Sequence, residues 1–500
     1  QQVMQRVTYS NDTPYGDATL RFAVSNGQGT VNADVTVTSN IIYVDQTSYD
    51  TDGDATDGFN LAEALAIAGD GDTIHIKNGT YRGQFLAATG GVTIEGESKA
   101  GVILEAPDSA SVTASSQAGL SSRPRYVILD LRTTDIGTIT VKNLTVDGRH
   151  QGPNDTTGSE DLIGIAAYNT NAVIDGVVIK NIADVLENDG KLSGLSENFG
   201  IVAEAATGTN RTVTIQNSEI SEFQKTGIVA WGGGLTANVL NNTITLAGDR
   251  GKSVQNGMQI GGTTSDRSGV LATIRDNTIT NSASPNDTYA ATGIFMIGAG
   301  ASTVESNSVT GATAAPTAQG GRLAITIQAV VGSITVSDNT LSNNDVGVYV
   351  PGSTSVISHT ITNNTLNGNG YQVYVDVSNG NVNLVNVTQN RSGAAGNTSG
   401  AMIHVLSAGA DSFVDTGSTD SDITGNDGDD TITAGSGDDT ITGGSGADSL
   451  TGGGGQDRFV GTGAELNGDI ITDFTHADAV ILKGAVVPRG QISVTTSGSD

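Results

Sequence analysis

A six-residue phrase that returns between about residues 140 and 370 restricts this chain to a narrow group of folds. It reads apolar, any, Asn/Asp/Ser, Asn or a substitute, any, apolar: VKNLTV (141–146), VIDGVV (173–178), IQNSEI (215–220), VLNNTI (239–244), IRDNTI (274–279), VESNSV (304–309), VSDNTL (336–341) and ITNNTL (361–366). Asparagine holds the fourth place at Asn242, Asn277, Asn307, Asn339 and Asn364, at steps of 35, 30, 32 and 25 residues. A constant phrase at unequal steps describes the coils of a solenoid whose loops vary on one side. Asparagine suits a left-handed bend between two short strands, because its side chain bonds the local backbone. The reading therefore places the bend at these residues, and stacking them at one corner lets them bond one another along the coil axis.

A second phrase precedes each of these: GIVAEA (200–205), GIVAWG (227–232), GMQIGG (257–262), GIFMIG (293–298), AITIQA (324–329), GVYVPG (347–352) and QVYVDV (372–377). Its alternation is that of a strand with one buried face. The inward set is Ile201/Ala203, Ile228/Ala230, Met258/Ile260, Ile294/Met296, Ile325/Ile327, Val348/Val350 and Val373/Val375. Two or three such strands per coil, each coil stacked on the next, make a parallel β-helix whose stability is a sum over neighbour contacts. Helical text is nearly confined to NLAEALAIA (60–68), an amphipathic stretch placed to cover the N-terminal end of the solenoid.

The entry phrases GDTIHIKNGTYRG (71–83) and GVTIEGES (91–98) carry a family likeness. With the repeats above, they make roughly residues 41–400 resemble the pectate-lyase-type right-handed parallel β-helix superfamily. The resemblance implies the fold and a capping helix ahead of the first coils; it does not imply an activity. Residues 1–40, with SND and NGQG turns between strand-like runs, resemble part of a cadherin-like sandwich repeat of large bacterial surface proteins. The expected fold class is all-β. A partial β-sandwich (1–40) leads into the β-helix (41–410), and a calcium-binding parallel β-roll with its cap follows (411–500). Both ends look cut, so the chain reads as a piece of a longer one.

Charge and composition narrow the partners. Lys and Arg number 23 against 53 Asp and Glu, a net charge of −30, which argues against nucleic acid or anionic membrane as a partner. No stretch approaches the roughly 18–20 apolar residues of a membrane span. Glycine is abundant at 68 of 500, with 8 prolines and no three-residue period, which excludes collagen. There is no cysteine, hence no disulfide, thiolate metal site or cysteine nucleophile, and rigidity outside a cell must come from repeats or metals.

Four nine-residue units follow one another at 425–460: GNDGDDTIT, AGSGDDTIT, GGSGADSLT and GGGGQDRFV. They resemble the G-G-x-G-x-D-x-apolar-x calcium-binding β-roll repeat of secreted bacterial proteins. Asp430, Asp439, Asp448 and Asp457 in the sixth place offer hard-oxygen ligands to Ca²⁺. The backbone carbonyls of Asn426, Gly428, Gly435, Gly437, Gly444 and Gly446 are the expected partners. Ile432, Ile441, Leu450 and Phe459 in the eighth place pack the roll interior. The template does not require Asp429 and Asp438. The next segment, GDIITDFTHADAVILKG (468–484), resembles the cap of such rolls and adds Asp469, Asp473 and Asp478 as candidate ligands. TSYDTDGDATDG (47–58) spaces Asp50, Asp52 and Asp54 closely but lacks the setting and the final glutamate of an EF-hand loop. A polar turn is the plainer reading there. The resemblance implies export through a one-step channel and folding in extracellular calcium, and so a cell-surface or extracellular location.

Chemistry on acidic polysaccharides needs a cation for the carboxylate and a base for the ring proton. Candidate residues are Asp147, Arg149 and His150 in VDGRHQGPND, and Lys225, Arg250 and Lys252 on nearby coils. None falls in a known catalytic signature, and polar turns that balance local acidity explain them equally. The outward places of the repeated strand collect aromatic and amide groups: Tyr168, Glu204, Trp231, Gln259, Phe295, Tyr349 and Tyr374. Sugars stack on such rings, whereas a covering loop, domain or second subunit is the competing explanation. The expected function is a calcium-binding surface protein with an adhesive or structural role that grips glycan along this face. A secreted polysaccharide lyase or uronan C5-epimerase of the same fold, and a surface-layer or sheath subunit, are the alternatives.

Overall fold

The computed structural model describes residues 18–25, 30–37, 40–45, 59–108, 125–152, 161–184, 197–246, 255–281, 291–311, 322–351, 357, 359–367, 369, 371–376, 385–388, 391–392, 402–406, 409–415 and 420–484. Ala18–Ser25 and Thr30–Val37 pair as an antiparallel two-stranded sheet. From residue 41 on, the strands lie in long parallel sheets. One coil illustrates the plan. Arg211–Gln216 joins a twelve-stranded first sheet, Glu219–Ser221 an eleven-stranded second and Thr226–Trp231 a ten-stranded third, and the chain then re-enters the first sheet at Leu235–Leu240. The fold is a right-handed parallel β-helix.

Inward residues fill the bore. Ile201, Ala203, Ile228, Ala230, Met258, Ile260, Ile294, Met296, Ile325, Ile327, Val348, Val350 and Val373 are all buried, as the alternation requires. The helix Leu61–Ile67 closes the N-terminal end. The Asn60 side chain accepts from the backbone N–H groups of Ala62 and Glu63, and Glu63 reaches back to the Asn60 N–H, a complete capping box. Leu61, Ala64 and Leu65 face the first coils.

The corner between the first and second sheets corrects one expectation. The left-handed bend belongs to the residue before the repeated asparagine: Asn217, Asn241, Asp276, Ser306, Asp338 and Asn363 have φ between 54° and 59°. The fourth-place asparagines point inward instead and are buried. Each donates from Nδ2 to the Oδ1 of the next over Asn242, Asn277, Asn307, Asn339 and Asn364, at 2.9 Å every time. Each Nδ2 also reaches the carbonyl of the first residue in the preceding phrase, and each Oδ1 takes the backbone N–H of the preceding corner residue. The ladder thus absorbs the backbone groups that a tight interior corner would otherwise leave unpaired.

Beyond the β-helix two further parallel sheets face each other. One contains Met402–Val405, Ser421–Asp427, Thr440–Ser445, Arg458–Gly461 and Ala479–Leu482; the other contains Ser412–Val414, Thr431–Thr433, Ser449–Thr451 and Ile470–Ile471. Partners such as Ile423 with Ile441 and Ile432 with Leu450 are 18 residues apart, so two nonapeptides make one coil of the β-roll. The apolar column of the roll (Phe413, Ile423, Ile432, Ile441, Leu450, Phe459) is continuous with the core of the β-helix. Tyr371–Asp376 lies against Met402–Val405, where the wide solenoid gives way to the narrow one.

Candidate calcium sites and the outer face of the third sheet

Each nonapeptide turns into its sixth-place aspartate and runs as a short strand over its last three residues. The turn brings the sixth-place carboxylate inward, and Asp430, Asp439, Asp448 and Asp457 are all buried. One oxygen of each has a fixed task. Oδ1 of Asp430, Asp439, Asp448 and Asp457 accepts the backbone N–H of Asp411, Ser421, Asp430 and Asp439 respectively, at 2.7–2.9 Å. The second oxygen, Oδ2, of Asp430, Asp439 and Asp448 is buried and meets no hydrogen-bond donor. Burial pushes the Asp430 and Asp439 carboxyls up to about 7 and raises that of Asp457. A carboxylate so placed is costly until a cation or a proton meets it.

The backbone around these oxygens is equally specific. A Cβ at Gly425, Gly443 or Gly452 would collide with Oδ2 of Asp430, Asp448 or Asp457. The carbonyl oxygens of Asn426, Gly428, Gly435 and Gly437 press on Gly444, Gly446, Gly453 and Gly455 of the turns one coil on, so closely that no side chain fits between. Gly446 sits at φ +150°, a conformation that favours glycine. Buried carboxylate oxygens without donors, beside stacked glycine carbonyls, are hard-oxygen donors suited to calcium. Asp430, Asp439, Asp448 and Asp457 with the carbonyls of Asn426, Gly428, Gly435, Gly437, Gly444 and Gly446 would hold it. Among the described residues no three acidic or imidazole side chains converge, so the carbonyls are indispensable to the donor count.

Asp429 and Asp438, outside the template, have backbone roles: their Oδ1 atoms accept the N–H of Ala447 and Gln456 one coil on. Sequence reasoning missed the turn before the four units. Asp411 stands in register with Asp430, and Phe413 pairs with Ile432, so the coil begins earlier than the text suggests. Ser421 fills the sixth place in the other column, with its Oγ on Asp415. The readable signal was Asp411 and Phe413 two apart, hidden by a 19-residue step.

The outward face of the third sheet divides into two parts. Tyr168, Glu204 and Trp231 occupy one register column, and the structure buries all three. This corrects the expectation of open stacking rings there. Arg125, itself buried, donates to the Tyr168 hydroxyl at 3.2 Å and pairs with Glu204, while its guanidinium lies 5.3 Å from the centre of the Trp231 ring. Arg267 covers the same ring at 4.1 Å, and Phe199 meets it edge-on at 5.6 Å. Val127, Ile163, Ala166, Val202 and Val229 complete a small core outside the sheet. Here the rings and charges are committed to packing, and burial pushes the Tyr168 hydroxyl above its ordinary range.

Further along, Gln259, Phe295, Thr326 and Tyr349 succeed one another in register on adjacent coils. Gln259, Phe295 and Tyr349 are half-buried, whereas Thr326 between the two rings is buried and its hydroxyl has no partner among the described residues. Adjacent strands are about 4.8 Å apart, so the two rings stand about 10 Å apart along the axis. Position 374 continues the column in register with Tyr349; its side chain lies outside the described residues.

Asp147, Arg149 and His150 sit at another corner, after a second-sheet strand, and do not join this face. Arg149 and His150 both have φ 53°. Asp147 Oδ1 accepts from the Arg149 N–H and from Asn181 Nδ2, both at 2.8 Å, and Lys180 Nζ lies 3.3 Å from Oδ2. Arg149 is held by Asp108 and Glu105, and His150 Nε2 lies 3.8 Å from Glu222. This is a turn stitched by ion pairs rather than an open acid–base set. Lys225 is half-buried at the start of a third-sheet strand. Arg250, Lys252, Asp50, Asp52 and Asp54 lie outside the described residues.

Fold and donor geometry together define a right-handed β-helix that carries a calcium-binding β-roll. Residues 424–459 match the RTX calcium-binding nonapeptide repeat in four copies. Residues 207–389 match the right-handed β-helix region. No curated protein matches the chain. Among solved structures it is similar to the A-module of the Azotobacter vinelandii mannuronan C-5 epimerase AlgE6, at 14% identity and a TM-score of 0.31 over 84% of this chain and 92% of that one. It is also similar to the tailspike protein gp49 of Acinetobacter baumannii bacteriophage Fri1, a capsular polysaccharide depolymerase, at 12% identity and a TM-score of 0.39 over 77% and 63%. An alginate lyase from Paenibacillus sp. str. FPU-7 follows at 14% identity and 0.33 over 61% and 91%. Among the described residues no helix is long and apolar enough to cross a membrane.

Proposed function

We propose that this chain is a calcium-rigidified rod that works outside the cell, at a bacterial surface, in an adhesive or structural role. Its glycan contact is the column Gln259, Phe295, Tyr349 and Tyr374. The observation that carries the glycan reading is the pair of half-buried rings at Phe295 and Tyr349 on alternate coils, in register with an amide at Gln259. Rings in such a row take sugar faces, and the amide takes hydroxyls. Against catalysis on an acidic sugar stands the pairing of cations: Arg125 with Glu204 and Arg322 with Asp345 on third-sheet strands, and Arg149 with Asp108 and Lys180 with Asp147 at the separate corner.

The test is retention on immobilised acidic and neutral polysaccharides in calcium. Phe295→Ala with Tyr349→Ala should reduce retention at least tenfold, while Trp231→Phe, in the buried cluster, leaves it unchanged. Retention that survives loss of both rings removes this face from consideration. Growth of unsaturated-uronate absorbance on alginate or pectate would replace the adhesive reading with a lyase.

A further inference from the structure

The outer face of the first sheet carries a hollow that neither the calcium sites nor the ring column uses. Thr273, Thr303 and Thr335 stand in register on three successive coils, half-buried and side by side. Two residues before each of them come Leu271, Ala301 and Ser333. Leu271 is large and 48% exposed, whereas Ala301 and Ser333 are short, and a hollow of about 350 Å³ lies over them against the threonines. That is within the range of ligand clefts. The preference of threonine for strands accounts for its outward column but not for the depression beside it. The hydroxyls of Thr273, Thr303 and Thr335 have no hydrogen-bond partner among the described residues. The lining holds no charged residue. Arg275 and Glu305, in the next outward column, pair with each other at 4.0 Å.

We propose that this hollow binds an uncharged β-1,4-linked polysaccharide laid along the solenoid axis, at a site separate from the ring column on the third sheet. Three observations select that ligand. The free hydroxyls recur with the coils at about 4.8 Å, and an extended β-1,4-linked chain advances by nearly the same distance per sugar, so each coil meets an equivalent hydroxyl. The Leu271 side chain and the threonine methyls offer apolar contact to the C–H faces of the rings. With no cation in the lining and a net charge of −30 on the chain, nothing offsets the repulsion of a uronate polymer, whereas a neutral one meets no barrier.

The test titrates short oligosaccharides into the full chain in calcium, with Phe295→Ala and Tyr349→Ala already in place so that the ring column contributes nothing. A short ligand reports one face at a time, whereas a long polymer engages both and loses retention when either fails. The probes are the β-1,4-linked hexamers of glucose, of mannose and of mannuronate. At least one of the two neutral hexamers should bind saturably, and the mannuronate hexamer at least about tenfold more weakly. Adding Thr273→Val, Thr303→Val and Thr335→Val keeps the shape and removes the hydroxyls, and should weaken binding about tenfold or more, at about 1 kcal/mol for each lost hydrogen bond. Ala301→Trp, at an exposed position, fills the hollow and should abolish binding; it decides alone if the triple variant folds poorly. Absence of binding by both neutral hexamers, equal affinity for mannuronate, or affinity unchanged by Ala301→Trp overturns the assignment. The ring column is judged separately, by polymer retention in the parent.

Discussion

At the scale of single residues, the amide ladder and the buried histidines carry the clearest consequences. Asn307 Oδ1 accepts from Asn277, and its Nδ2 serves Ile274, Glu305 and Asn339, all inside the bore. Asn307→Ala leaves several of those groups unpaired, at about 1–3 kcal/mol for each buried orphan. A loss of about 3 kcal/mol or more should appear as a lower denaturation midpoint, and Asn307→Ser should recover part of it. His359 behaves differently. Its Nδ1 accepts the Ile334 N–H at 3.2 Å, and burial lowers its pKa from 6.5 to about 4. The fold therefore favours the neutral ring. This contribution is complete above about pH 6.5 and is lost as pH falls toward 4. Two coils earlier, Ser302 accepts the Ala272 N–H at 2.9 Å without a titrating group. His359→Ser should keep the contact and flatten the acid limb of a melting-temperature profile; an unchanged limb would place the sensitivity elsewhere.

At the scale of strands and turns, the calcium roll and the β-helix corners show what a sequence can and cannot display. The inward column was readable because alternation maps directly onto one face of a strand. The corner asparagines were found, yet the bend was placed one residue late, because both neighbours in the NN pairs can adopt it. The capping box at Asn60 and Glu63 follows from local chemistry alone. Burial of Tyr168, Glu204 and Trp231 did not show, since an outward position becomes interior only through what packs over it. The Asp411 turn was hidden by one extra residue and by Ser421 in place of an acid. The roll's own stability is more predictable. Buried Oδ2 atoms on Asp430, Asp439 and Asp448 make the folded roll unfavourable without a counter-charge. Chelation should abolish exchange protection over 421–461 and leave that of 211–245 intact. Equal protection with and without calcium would contradict the donor assignment.

At the scale of the whole molecule, the roll and the β-helix share one interior, with Val373 at the end of one column and Leu406 and Phe413 at the beginning of the next. Coils in such an array are stabilised mainly by their neighbours. Loss of calcium should therefore loosen the last β-helix strands, Tyr371–Asp376 and then Val346–Pro351, before the coils near residue 200. Exchange in chelator should fall off toward the N-terminus, and a uniform rise along the chain would argue against end-to-end coupling. The hydrogen bonds of all the parallel sheets also run along the long axis, from each coil to the next. A force pulling the two ends apart thus meets them one layer at a time rather than all together. A molecule built this way yields by shedding single turns, each releasing a few tens of residues of slack, and lengthens in small increments where a side-by-side sheet would hold and then snap.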